Sequence, residues 1–120
     1  MAKKLYSTSD EWILIEGNTA TIGITNYAQD QLGDIVYIEL PELEIVIEKD
    51  GVMGAVESVK AAADLYCPVS GKVIEVNDQL VDEPEKLNDD AQNTFIVKIE
   101  IDPTLDTTHL MSEEDYLASK

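Results

Sequence analysis

The sequence contains no arginine, and its eight lysines stand against twenty-five carboxylates, a formal net charge of −17 at pH 7. Nucleic acid is disfavoured as a partner, because a phosphate backbone needs a basic stripe to displace its counterions. An anionic membrane surface is disfavoured for the same reason. Cysteine is limited to Cys67 and histidine to His109, so neither a disulfide framework nor a zinc site of the usual Cys/His kind can be assembled. These counts suit reduced, cytoplasmic surroundings. No uninterrupted apolar run exceeds four residues, so neither a signal peptide nor a membrane span is expected.

What is present fits one folded domain over residues 1–120. Apolar residues make up 44 % of the chain and charged residues 28 %, a composition that can form a single small core. The charge favours a monomer through self-repulsion and steers the surface toward basic patches on partner proteins.

Apolar residues alternate with polar ones at Ala20, Ile22 and Ile24 and again at Val97, Ile99 and Ile101, the period of half-buried strands. Trp12–Ile15, Ile35–Leu40, Ile45–Ile47, Val52–Val56 and Val73–Val76 add further short strand-forming runs, so the fold is mainly β. Helical signals are confined to two places. Asn26–Leu32 has Thr25 or Asn26 as N-cap and Gly33 as its stop, and Ser112 precedes Glu113, Glu114 and Asp115 near the end. Gly33–Ile38 and Gly71–Val76 share a glycine-led strand pattern, as in a small pseudo-symmetric β sandwich. Asp78–Asn93, rich in acids and amides, reads as a long polar connection.

The usual catalytic arrangements are missing. No serine lies in a G-x-S-x-G elbow, no glycine-rich phosphate loop is present, and the acids are scattered rather than spaced as in a calcium loop. Cys67, between Tyr66 and Pro68, has no basic neighbour to favour a thiolate and reads as a packing residue. His109 reads as a surface or cap residue near the end of a short helix, and Trp12 as core. The informative segment is Val56–Asp64, where apolar strand residues lead in, Leu65–Val69 lead out, and Lys60 stands alone among small residues. That pattern suits an exposed hairpin tip. A tip lysine is open to a modifying enzyme, and an acyl chain on its stem would form a swinging arm.

The segment Val56-Glu57-Ser58-Val59-Lys60-Ala61-Ala62-Ala63-Asp64-Leu65-Tyr66, continued by Pro68–Asn77, resembles the lipoylation region of the H proteins of the glycine cleavage system. Gly23–Pro41, Tyr6–Trp12 and Leu110–Tyr116 are similar to further stretches of that family, so the resemblance spans nearly the whole chain. It implies a barrel-sandwich hybrid of the lipoyl/biotinyl type with a few short peripheral helices, and lipoate in amide linkage to Lys60. The implied role is that of a carrier, not an enzyme. The lipoyl disulfide receives an aminomethyl group from glycine at a pyridoxal-phosphate-dependent glycine decarboxylase. An aminomethyltransferase passes the carbon to tetrahydrofolate, and an FAD-dependent dihydrolipoyl dehydrogenase reoxidises the dithiol. A lipoate-protein ligase or lipoyltransferase is implied as the modifying partner. The resemblance also implies a cleft that shelters the arm. Ser9, Glu11 and Asp64 match its polar lining, and Glu57 and Asp64 match positions available to the lipoylating enzyme. Biotin is a poorer match, since Val59-Lys60-Ala61 is not the Met-Lys-Met tip of biotin carriers.

Departures from the family pattern frame a second reading. Asp10 stands where the family usually has His, Glu44 where it has a turn glycine, and Lys49-Asp50-Gly51 shifts the next glycine by one place. Asp89–Phe95 replaces a Pro-Tyr-Gly-rich loop. That altered loop, expected near the arm, motivates the alternative of an H-like lipoyl donor or relay in lipoate metabolism, or a lipoyl-based redox or regulatory tag.

Overall fold

The computed structural model describes residues 3–120. Nine strands form two antiparallel sheets. The strands are β1 (Lys3–Tyr6), β2 (Glu11–Glu16), β3 (Thr19–Ile24), β4 (Ile35–Glu39), β5 (Val46–Ile47), β6 (Val52–Ser58), β7 (Ala62–Tyr66), β8 (Gly71–Val76) and β9 (Val97–Glu100). The larger sheet has the order β1-β2-β3-β9-β8-β5 and the smaller the order β4-β6-β7. Alternation places Ile13, Ile22, Val73, Val97 and Ile99 of the large sheet and Ile35, Ile38, Val56 and Leu65 of the small one in a shared core. This is the sandwich suggested by the glycine-led repeat and implied by the family resemblance.

The glycine-led echo marks a structural repeat. Ile35 of β4 and Val73 of β8 are buried, the next two residues of each strand are exposed, and each strand has a bulge at the same step, Ile35/Tyr37 and Val73/Glu75. The two copies lie in opposite sheets on either side of the β6–β7 hairpin in the chain. That placement leaves the hairpin tip outside the core.

Both expected helices are present. α1 (Asn26–Leu32) is capped by the Thr25 side chain, which accepts from Ala28 N, and ends at Gly33 with φ 78° and ψ −153°, a conformation essentially reserved for glycine. At the other end, the Ser112 side chain accepts from Asp115 N and starts a helix over Glu113–Ala118. Three expectations need correction. Asp78–Asn93 is not an unstructured connection: it folds as α2 (Gln79–Asp82), α3 (Lys86–Asp90) and a 3-10 turn (Ala91–Asn93). These drive Leu80, Leu87 and Ala91 into the core, so the C-terminal helix is α4. His109 lies in a turn ahead of α4, half-buried, with Nε2 2.7 Å from the Pro68 carbonyl oxygen. The set of strand-forming runs was also incomplete: Lys3–Tyr6 forms a strand, because Leu5 and Tyr6 are buried opposite Ile13 and Trp12.

Glu44 and Asp50, at the two departures from the family's glycine pattern, have φ of 73° and 67°. A side chain in that left-handed region costs about 1 kcal/mol or more. Glu44→Gly is therefore expected to raise stability by roughly 0.5 kcal/mol once the added freedom of the unfolded chain is subtracted, read as a higher urea midpoint. Leu80 is fully buried, and Leu80→Ala is expected to cost about 2–5 kcal/mol in the same measurement, which a solvated connection would not show.

Candidate functional site

Lys60 occupies the β6–β7 turn, and the turn is tightly held. Ser58 N donates to Ala61 O at 2.8 Å, the Ser58 hydroxyl oxygen accepts from Ala61 N at 3.1 Å and Lys60 N at 3.3 Å, and Val59 N donates to Asp34 O at 3.0 Å. Small residues at 61–63 keep the surroundings open, and Val59 and Lys60 are exposed. The lysine stem lies over Gly33: a Cβ there would stand 3.2 Å from Lys60 Cε. Glycine is required at position 33 by its backbone conformation, whereas the exposed lysine stem would need to move only a few tenths of an ångström to admit a Cβ.

Next to Gly33 opens a cleft of about 190 Å³. One wall is α1 with Ala28, Gln31 and Leu32, the other is Ser9, Asp10 and Glu11, and Val56, Ala63 and Leu65 belong to the hairpin side. The structure therefore brings together three of the four polar residues named from the family resemblance. Ser9 and Glu11 line the cleft, and Asp64 stands exposed on the edge strand β7 at its rim. Glu57 does not join them. It pairs across strands with Tyr37 and Ala62 and is exposed, whereas its neighbour Val56 faces inward. The α1 wall was missed in the sequence; the pairing of Ala28 with Leu32 four residues on, one helical face, was the available signal.

Glu11 is the unusual group. Its side chain is 2 % exposed. The Ser7 hydroxyl donates to Glu11 Oε1 at 2.7 Å and the Ser9 hydroxyl donates to the same oxygen, while the backbone N–H of Tyr66 on β7 adds a favourable dipole toward the carboxylate. Burial raises its pKa to about 7, against the lowering effect of these three groups, with a smaller upward push from Asp10. Near neutral pH the group can thus be either an acid or a carboxylate, and an ammonium entering the cleft would favour the charged form. Cys67 is buried and donates to Val69 O at 3.0 Å. Burial pushes its thiol up to about 11, as fits a packing residue and not a nucleophile. Trp12 is likewise core, its Nε1 donating to Ala91 O at 2.9 Å.

The altered segment Asp89–Phe95 contributes no residue to the cleft lining. It packs at the other end of α1, where Asn26 N donates to Gln92 Oε1 at 2.9 Å. Only Asn88, just before it, reaches the lysine end, donating to Gly33 O at 2.7 Å. No group of His, Cys, Asp and Glu suited to a metal ion occurs among the described residues, and no helix among them is long and apolar enough to cross a membrane.

Because the folded state raises the pKa of Glu11 above that of the exposed side chain, the native protein binds the extra proton between pH 4.5 and about 7. The Glu11 contribution to stability is therefore most favourable at the acid end of that window and falls as pH rises through it, by on the order of 3 kcal/mol in all. Urea midpoints across this window, compared with those of Glu11→Gln, are expected to differ in slope accordingly. Parallel profiles would contradict the assignment.

The glycine cleavage H-protein family model matches residues 4–120. The glycine cleavage system H protein of Acidobacterium capsulatum is 50 % identical over 113 residues, covering 94 % of this chain and 88 % of that one. The H protein of Thermotoga maritima is 46 % identical over 117 residues, covering 97 % and 94 %. The crystal structure of the glycine cleavage system H protein from Mycobacterium marinum superposes with a TM-score of 0.88 at 28 % identity, over 97 % of this chain and 94 % of that one. With its site geometry and its match over nearly the full length, the chain belongs to the glycine cleavage H-protein family.

Proposed function

We propose that Lys60 carries lipoate in amide linkage and that the protein serves the glycine cleavage system as its lipoyl carrier, catalysing nothing itself. The observation that carries this reading is the position of Lys60: at the centre of a braced, exposed turn, with its stem over Gly33, the residue that follows Leu32 of the cleft wall. The residues present fit such a group. The walls are apolar enough for a hydrocarbon arm, through Ala28, Leu32, Val56, Ala63 and Leu65, while Ser9 and Glu11 supply a polar end. When bound, lipoate supplies a disulfide that can accept the aminomethyl carbon of glycine and be reclosed by oxidation.

The chain's own residues do the rest. Ser58 holds the turn so that a ligase meets one lysine in a fixed frame. Glu11, in its charged form, holds a cationic amine by a charge-assisted hydrogen bond, and the Ser7 and Ser9 hydroxyls keep that carboxylate aimed. Asp64 adds a second negative charge at the rim. Glu57, on the outward side of β6, serves recognition by the lipoate-protein ligase or lipoyltransferase. The finer partner set is glycine decarboxylase, aminomethyltransferase and dihydrolipoyl dehydrogenase, each meeting the arm in turn.

Incubation with lipoate, ATP and a lipoate-protein ligase is expected to add one lipoyl increment to the intact mass, and Lys60→Ala to abolish it. The lipoylated protein is then expected to support glycine–CO2 exchange by glycine decarboxylase. A pure lipoyl relay would take the increment and stay inactive in the exchange. No increment, with a known H protein labelled in parallel, would overturn the carrier reading.

A further inference from the structure

The two walls of the cleft meet at a single hydroxyl that lies outside it. Tyr116, on α4, is buried, and its OH donates to Asp10 Oδ1 at 2.7 Å while lying 2.7 Å from Thr25 Oγ1. Thr25 Oγ1 in turn accepts from Ala28 N and so starts α1, the helical wall. Asp10 sits between the wall residues Ser9 and Glu11 at φ 72°, and its carbonyl accepts from Thr25 N at 3.0 Å. The same Asp10 Oδ1 lies 2.9 Å from Lys120 Nζ, and that ammonium is placed 4.8 Å from the Tyr27 ring centroid and 5.2 Å from that of Tyr116. A charge-assisted pair flanked by two ring faces is a stronger restraint than an exposed ion pair. α4 is itself fixed, because the Tyr6 and Tyr116 rings stack 5.1 Å apart and the Tyr6 OH donates to Glu113.

We infer that Tyr116 and Lys120, neither of which lines the cleft, are positioning residues that clasp its two walls together through Asp10 and Thr25 and so set the space for the arm on Lys60. The inference rests on the carrier reading for its purpose, but the clasp itself belongs to the unmodified chain. Tyr116 spans the gap between Asp10 and the α1 cap, and Lys120 neutralises the Asp10 carboxylate and locks its direction. Without them the strained Asp10 loses its side-chain ties to α1 and α4, and the Ser7–Glu11 turn is held only by bonds within itself, its backbone bonds and the Ser7 and Ser9 hydroxyls, so that water gains access to Glu11.

The test uses Tyr116→Phe, which keeps the ring and removes the bridging hydroxyl, Lys120→Met, the conservative Lys120→Arg, and Ile99→Val as a mildly destabilised control away from the clasp. On the unlipoylated protein, amide exchange at Glu11 and Thr25 is expected to rise about tenfold in Tyr116→Phe and Lys120→Met. The NMR titration midpoint of the Glu11 carboxyl is expected to fall toward the ordinary glutamate range in both. Lys120→Arg restores both readouts and Ile99→Val moves neither. On the lipoylated protein, a carried one-carbon unit is expected to be lost to water faster in the same two variants, with the carbon recovered as formaldehyde, the nitrogen as ammonium and the arm as its thiol. Wild-type exchange and an unmoved Glu11 midpoint in Tyr116→Phe and Lys120→Met would overturn the clasp, as would equal changes in Ile99→Val. A chain that refuses lipoate sinks the carrier reading and leaves the two measurements on the unmodified protein to decide the clasp.

Discussion

A carboxylate held out of water at the junction of the two sheets constrains the rest of this structure. Glu11 starts β2 in the large sheet, and the Tyr66 N–H that favours its charged form lies on the edge of the small one. Burying a carboxyl without partners would be costly, so the chain must bring the Ser7 and Ser9 hydroxyls to one point. No buried side-chain nitrogen or oxygen among the described residues lacks a partner. Meeting that demand shapes the Ser7–Glu11 turn, throws Asp10 into the left-handed region, and calls for a bond from Thr25 to the Asp10 carbonyl. Helix α1 then begins where it must to form the opposite wall. The cleft is thus the space left by satisfying one acid, and its polar end exists before any ligand enters.

The strands were legible because alternation has one physical cause, a core on one side and water on the other, and Ala20–Ile24 and Val97–Ile101 display it plainly. The caps were legible too: Thr25 and Ser112 have side chains that compete for backbone amides in only one useful place. Residues 78–93 were not. Leu80, followed by an exposed Val81, and Leu87 are the buried residues of these two helices in a stretch of acids and amides, and each short helix needs only one to reach the core. With turns this short there is no period to detect. The tip was visible as a lysine among small residues, but its use came from the family resemblance, since exposure alone does not separate a modified lysine from a solubilising one.

The site shows the same division. Ser9 and Glu11 are two apart in the chain, and the family resemblance marked them, yet the raised pKa of Glu11 comes from burial that exists only once the chain has folded. Ser7 went unnoticed because its role appears only once the turn is closed. Glu57 was matched by the family resemblance to recognition by the lipoylating enzyme, and strand alternation puts it on the outer face, away from the cleft. One residue's shift along a strand decides between the cleft and open water.

Charge and shape divide the remaining work. A net charge of −17 raises encounter rates with any basic surface and repels other anionic ones, but carboxylates spread over the whole chain cannot by themselves discriminate among several basic partners. Discrimination therefore has to come from the few features that are local: a turn fixed by Ser58, a lysine laid over a glycine, and a cleft closed by a clasp. The Asp10 departure belongs to this set. At that position an acid tolerates the left-handed backbone and gives Lys120 and Tyr116 a common target, so the exchange of the family's usual histidine is accompanied here by a cation that completes the contact. A long-range field gathers partners, and short-range bonds set the geometry that they meet at the Lys60 turn and the cleft.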